Sequence, residues 1–288
     1  MTLVHAIILG IVQGLTEFLP ISSTAHLRIT PPLLGWDHGG GQAFETVIQM
    51  GTLVAVIWYF RADILHLLGG LKRDVQARKL ASNHESKLAW MIAIATVPVG
   101  VCGLLLEHKI KNEFRDLRWV AFFIGFFALV LWAAEIYSHR KAKAGNPGKP
   151  ESEIGFFNVI TMGLFQCLAL FPGASRSGTT ISGALFSGLD RAAAARFSFL
   201  LSLPAITAAG LYKLYKDRHE LFATQEGIIN LVVSTVVSGI VGYFAIAWLI
   251  GFLKRYSTTV FIVYRILLAI LLIVLVQQGI ISPLEEPE

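Results

Sequence analysis

Charge is scarce in this chain. Of its 288 residues, 15% are Asp, Glu, Lys or Arg, where soluble domains carry roughly a quarter. So thin a charged complement excludes an ordinary soluble domain. Cysteine is scarcer still. Cys102 and Cys167 each lie inside an apolar segment, which excludes a disulfide framework or a cysteine metal cluster and predicts two buried thiols. A basic leader is missing as well. No Lys or Arg precedes the first apolar stretch and no A-x-A-like site follows it, so the opening residues are not expected to be a cleaved signal. The basic excess, net +5, sits in segments such as LKRDVQARK and HRKAKAGNPGKP. Lys and Arg so placed orient a chain in a membrane, and no nucleic acid partner is expected.

What the chain has in abundance is long apolar runs. Hydrophobic residues make up 55% of it, in stretches such as WMIAIATVPVGVCGLLL, WVAFFIGFFALVLWAAEIY and TTVFIVYRILLAILLIVLV. About 20 apolar residues cross a hydrocarbon core as helix. The runs predict an all-α polytopic membrane protein with about six transmembrane helices, near 43–60, 88–106, 118–137, 193–213, 227–252 and 258–279. Membrane lipids are therefore its surroundings. No dimer motif stands out among the scattered glycines, and a homodimer stays open.

Two further apolar segments, 3–34 and 155–189, are interrupted by FLPISST and FPGASRSGTT. Irregular backbone survives at membrane depth only where protein or a wet cavity covers it. Each segment is thus expected to be a re-entrant helix hairpin that enters and leaves on one side.

Shifting the chain by 153 residues aligns the two segments. Gly10 falls on Gly163, Gln13 on Gln166, Leu15 on Leu168, Phe18 on Phe171, Ser22 on Ser175, Gly35 on Gly188, Asp37 on Asp190, Phe44 on Phe197 and Tyr59 on Tyr212. Such self-similarity predicts an internal repeat, 1–145 and 151–288, split at the polar linker HRKAKAGNPGKPESE. One hairpin plus three crossings is an odd count, so the second repeat is expected inverted, with a site at the midplane between the broken helices. Twelve Lys and Arg lie in loops 61–87, 138–150 and 254–255, against about eight opposite. That bias predicts these loops inside, both termini outside and the site reached from the outer face.

Polar residues in the two breaks carry the chemistry. A carboxylate at the bilayer centre costs on the order of 3 kcal/mol unless it faces a paired, wet environment. Glu17 therefore suggests a cation or proton-transfer site, and Gln13, four residues earlier, shares its helix face. The plainer alternative for both is an interhelical hydrogen bond. Ser22, Ser23 and Thr24 follow Pro20 and are placed either to cap free amides or to meet a ligand. His26, one turn beyond Ser23, suits acid–base work. In the second break, Gly173 and Gly178 allow close backbone approach, and Ser175, Ser177, Thr179 and Thr180 surround Arg176. A planar guanidinium with free helix amides beside it suits a phosphate, although pairing with Glu17 alone is the alternative. Glu45 and Gln49 open the first full span and add secondary site candidates.

QGLTEFLPISSTAH (13–26) and PGASRSGTT (172–180) resemble the two signature segments of the undecaprenyl-diphosphate phosphatase family of BacA type, bacitracin resistance proteins with the forms [E/Q]GxTEFLPxSSTxH and PGxSRSGxT. FETVIQMG, QCLALFPG and FSFLLSLP also fit, and the likeness covers nearly the whole chain. It implies an integral enzyme of the bacterial inner membrane that hydrolyses undecaprenyl diphosphate to the monophosphate carrier and orthophosphate. That reaction recycles the carrier for peptidoglycan synthesis. A polyprenyl diphosphate would be its lipid substrate, and magnesium or calcium its divalent cation. Carried onto this chain, Glu17 is metal ligand or base, Ser23 nucleophile (or only a ligand, if water attacks directly), His26 proton-transfer partner and Arg176 diphosphate clamp. Gln13, Ser22, Ser175, Ser177 and Thr180 would contact substrate, with Thr179 a weaker match. Gln13 weakens any mechanism that needs two carboxylates on that face. Architecture alone suits a secondary transporter or a lipid-carrier flippase equally well; the serine–histidine–glutamate grouping is what favours hydrolysis.

Overall fold

A computed structural model describes residues 1–36, 40–112, 114 and 116–284. Asp37 of the repeat lies outside them. The described chain is helical throughout, in the order α1 (Leu3–Phe18), α2 (Ser23–Leu33), α3 (Gly41–Tyr59), α4 (Arg61–Gln76), α5 (His84–Asn112) and α6 (Leu117–Lys143). There follow α7 (Phe156–Leu168), α8 (Arg176–Phe186), α9 (Arg191–Lys216), the short α10 (Arg218–Leu221), α11 (Gln225–Leu253) and α12 (Thr259–Gln277). Among the described residues five helices are long and apolar enough to cross a membrane: α5, α6, α9, α11 and α12. The protein is a polytopic α-helical membrane protein.

The first expected span, near 43–60, is helix α3. The run ends at Phe60, where α3 gives way to α4 at an angle of 74°. Residues 61–87, read from sequence as a loop, thus begin with a helix of sixteen residues. Charge explains the bend: Arg61, Asp63, Lys72, Arg73 and Asp74 stand among exposed Leu65, Leu68 and Val75. A helix so mixed belongs on the interface rather than through the core. Its end is closed by Asp74, which accepts from Ser82 N (3.0 Å), Asn83 Nδ2 (2.9 Å), Ser86 Oγ (2.6 Å) and the Ser82 hydroxyl. The Ser82 and Ser86 hydroxyls hold this carboxyl down at about 2. Cys102 and Cys167 are free and half-buried, more exposed than their apolar setting suggested.

The two interrupted segments fold as helix pairs, α1–α2 and α7–α8, and they enter from opposite ends of the bundle. Helix α6 serves as the ruler. At its start, Leu117 N donates to Pro283 O (2.8 Å), which also accepts from Arg28, midway along α2 (3.2 Å). Toward its other end, Glu135 accepts from Arg191, the first residue of α9, and from Thr258 Oγ1 (2.7 Å). Near there the second pair closes, with Lys149 N on Gly188 O (2.8 Å) and Asp190 N on Lys149 O (2.9 Å). Helix α1 packs on α11 and α7 on α5, while α3 packs on α9 and α6 on α12.

Small residues let these helices touch. A Cβ on Gly10 would stand 2.7 Å from Ser234 O, one on Gly14 2.8 Å from Ser238 O, and one on Gly51 1.9 Å from Thr235 O. Serines of α11 then bridge the backbones: Ser234 Oγ donates to Ala6 O (2.6 Å) and Ser238 Oγ to Ile48 O (2.7 Å). Lipid supplies no hydrophobic drive between helices, so close packing and such bonds hold the bundle. Gly51→Ala is accordingly expected to destabilise the detergent-solubilised protein by about 1–3 kcal/mol. Gly100→Ala, with nothing within 4 Å of its Cβ, is the control and should leave the melting temperature unchanged. Equal melting for both would refute backbone contact at Gly51.

Candidate active site

Each helix pair breaks for a local reason. In the first, Leu19 is extended, Pro20 has no amide to continue the ladder, and Ser22 takes φ 75° before α2 begins. In the second, Gly173 takes φ 94° and Ser175 φ 68° before α8 begins. A Cβ at Gly173 would lie 2.5 Å from Val120 O on α6, so the break presses against that span. Ser22 and Ser175 are the aligned serines of the repeat. Both hold positive φ without being glycine, at a cost on the order of 1–3 kcal/mol each, which persists only where the surroundings fix it.

The two breaks meet inside the bundle. Ser177 Oγ donates to Leu19 O across them (3.1 Å). Glu17, only 5% exposed, gathers four donors. Its Oε1 accepts from Arg176 (2.8 Å) and Gln49 Nε2 (2.8 Å), its Oε2 from Ser23 Oγ (2.8 Å) and Gln13 Nε2 (3.1 Å). An acidic tip therefore faces a basic one, as expected, with a serine hydroxyl on the carboxylate. Arg176 uses one nitrogen on Glu17, while its Nε and remaining terminal nitrogen are buried without partners among the described residues. Buried donors left in that state cost about 1–3 kcal/mol each, and an oxyanion would satisfy them. Helices α2 and α8 both start at this point, so their first amides and dipoles favour negative charge there.

A sequence model described as bacitracin resistance protein BacA matches residues 6–271. The chain belongs to the BacA family. Curated relatives carry the name undecaprenyl-diphosphatase. That of Pelodictyon phaeoclathratiforme is 48% identical over 98% of this chain and 100% of its own length. The Chlorobaculum parvum protein matches at 48% over the same shares, and that of Chlorobaculum tepidum at 47%.

The other residues that the BacA signatures single out stand as follows. Both ring nitrogens of His26 meet partners other than Ser23. Its Nδ1 lies 2.7 Å from Ser22 O and so carries the proton, and its Nε2 lies 2.6 Å from the Tyr264 hydroxyl. The ring also stacks on Tyr264. Ser175 Oγ caps α8 by accepting from Gly178 N (3.2 Å) and lies 3.2 Å from Ser177 Oγ. Thr179 and Thr180 are buried and donate to Arg176 O at 3.0 and 2.8 Å; Thr180 also meets Ser198 Oγ at 2.5 Å. Their hydroxyls thus brace the start of α8. Thr24 is exposed at the start of α2, and Glu45 sits half-buried on α3.

Two residues escaped the sequence reading. Gln166, the repeat partner of Gln13, is buried with both amide atoms unpartnered among the described residues. Arg265 is fully buried on α12, and its guanidinium reaches both breaks. A charge inside the run TTVFIVYRILLAILLIVLV is itself the signal that could have found it.

The residues suit a protein-held divalent cation poorly. Among the described residues no group of three or more His, Cys, Asp or Glu is placed to hold one. Glu17 is the carboxylate of the cluster, and four donors, one of them a cation, already occupy its oxygens.

Proposed function

We propose that this protein hydrolyses undecaprenyl diphosphate to undecaprenyl phosphate and orthophosphate, the chemistry for which its relatives are named. The observation that carries the proposal is the chain Ser23–Glu17–Arg176, which ends in two guanidinium donors without partners among the described residues. A nucleophile bonded to a base, beside donors waiting for an oxyanion, has a logic for phosphoryl transfer that transport does not require.

In the proposed reaction the diphosphate enters between the two breaks and its terminal phosphate takes the free donors of Arg176 and the first amides of α2 and α8. Ser23 Oγ attacks the terminal phosphorus as its proton passes to Glu17. The bond to the bridging oxygen breaks, and the electron pair leaves with undecaprenyl phosphate. Water then attacks the phosphoserine, the proton on Glu17 returns to Ser23 Oγ, and orthophosphate departs. Gln13 and Gln49 keep the carboxylate aimed at Ser23. His26 holds the strained Ser22 carbonyl and so shapes the turn that presents Ser23.

The proposal extends to two inverted repeats, 1–145 and 151–288, with the breaks at their meeting point. The pairing of α1 with α11 and of α7 with α5 supports it, as do the opposite entry ends and the shared strain at Ser22 and Ser175. The Lys/Arg bias supports a site that opens to the outer face.

The test is orthophosphate release by the purified protein in detergent with undecaprenyl or farnesyl diphosphate. Stoichiometric release with accumulation of the lipid monophosphate is expected. Recovery of intact diphosphate across assay conditions, divalent cations included, would defeat the proposal.

A further inference from the structure

The structure assigns a positioning role to Arg265: its guanidinium fastens the two helix breaks to one another and so sets the distance between Glu17 and Arg176. Arg265 lies on α12, outside both breaks, and no part of it is exposed. One terminal nitrogen donates to Pro20 O in the first break (3.3 Å). The other donates to Gly173 O (3.1 Å) and Ala174 O (2.9 Å) in the second, and Nε donates to Ile124 O on α6 (3.2 Å). Its hydrogen bonds among the described residues all go to main-chain carbonyls.

The need for such a residue follows from the breaks themselves. A helix interrupted at membrane depth leaves carbonyls that water would otherwise satisfy. Pro20, Gly173 and Ala174 present theirs from two separate segments. One planar group with five donors can serve them together, which an ammonium with three donors on a flexible stem cannot do in the same geometry. The fit is close: a Cβ on Gly178 would come 2.8 Å from the Arg265 guanidinium. The side chain thus fills the space beside the start of α8. Its charge has no carboxylate set against it among the described residues, so it also leaves the pocket with a surplus of positive charge for an incoming anion.

This assignment rests on the proposed phosphatase reaction for its kinetic consequence but not for its structural one. Two measurements separate them. Hydrogen exchange on the full-length protein needs no turnover. In Arg265→Gln, peptides covering 17–24 and 171–178 are expected to exchange at least about tenfold faster together, while those of α9 and α11 keep the wild-type rate. Phosphate release from farnesyl diphosphate, normalised to folded protein, reads the kinetic side. A fall in kcat of about a hundredfold is expected for Arg265→Gln and about tenfold for Arg265→Lys, with KM within about threefold of wild type. Unchanged exchange in either break overturns the assignment. So does a loss that tracks the folded fraction alone. If Arg265→Gln does not fold, Arg265→Lys decides: a folded lysine variant with wild-type kcat and exchange refutes the need for a guanidinium. Absence of phosphate release by the wild type defeats the phosphatase reading and leaves the exchange result to judge Arg265.

Discussion

Arg176→Lys is expected to cut phosphate release about a hundredfold or more at saturating lipid diphosphate, and Arg176→Ala about a thousandfold. The lysine keeps the charge, and so keeps most of the attraction to Glu17. What it loses is geometry. Arg176 holds Glu17 with one nitrogen and has two further donors, Nε and its second terminal nitrogen, buried without partners among the described residues. Planar bidentate donation to phosphate oxygens is the property lysine lacks. Removing a single preorganised donor to developing negative charge costs roughly a hundred to a thousandfold in kcat. The alanine variant also strips a cation from a carboxylate that is 5% exposed, so some loss of stability accompanies the loss of rate. The check is a phosphate-release assay on protein that elutes as a single species, with melting temperatures measured alongside. A lysine variant within threefold of wild type would show that the guanidinium does not clamp the phosphate.

Much of this site was legible because charge is conspicuous in an apolar chain. Glu17 and Arg176 had few structural excuses at membrane depth, and the structure brings them to 2.8 Å. The alignment of Ser22 with Ser175 was legible as well, although it did not disclose that the two share a strained backbone. Strain comes from the turn that fits between packed spans, which no single segment encodes. The direction of His26 was hidden for a similar reason. Its place one turn past Ser23 suggested contact with the hydroxyl, but the rotation of α2 is fixed by packing, and the ring meets Tyr264 from a helix 238 residues away. Thr179 and Thr180 looked like ligands because hydroxyls near an arginine suit phosphate. On a helix they also reach a carbonyl three or four residues back, and both donate to Arg176 O. Helix α4 was taken for loop because its apolar residues are too interspersed with charge to span; lying on an interface requires no continuous run.

Glu17→Gln should be nearly as damaging as loss of the nucleophile, and the reason is countable. The carboxylate accepts from four donors, two on each oxygen. A glutamine of the same shape offers one oxygen and one amide, so whichever way it turns, one pair of donors faces another donor. If the oxygen turns to Arg176 and Gln49, Ser23 loses its acceptor and with it the route for its proton. If it turns to Ser23, Arg176 loses its anchor, and a neutral amide is in any case too weak a base to take the proton. Positioned general bases contribute about a hundred to ten thousandfold, so a fall of about a thousandfold in kcat is expected. Ser23→Ala should fall at least as far. Acid quench of wild type with lipid diphosphate labelled in its terminal phosphate should trap label on Ser23, located by peptide mass spectrometry. Glu17→Gln should trap little, because the base acts before the phosphoserine forms. Retention of more than a tenth of activity by Ser23→Ala would place the attack on water and reduce Ser23 to a ligand of the phosphate.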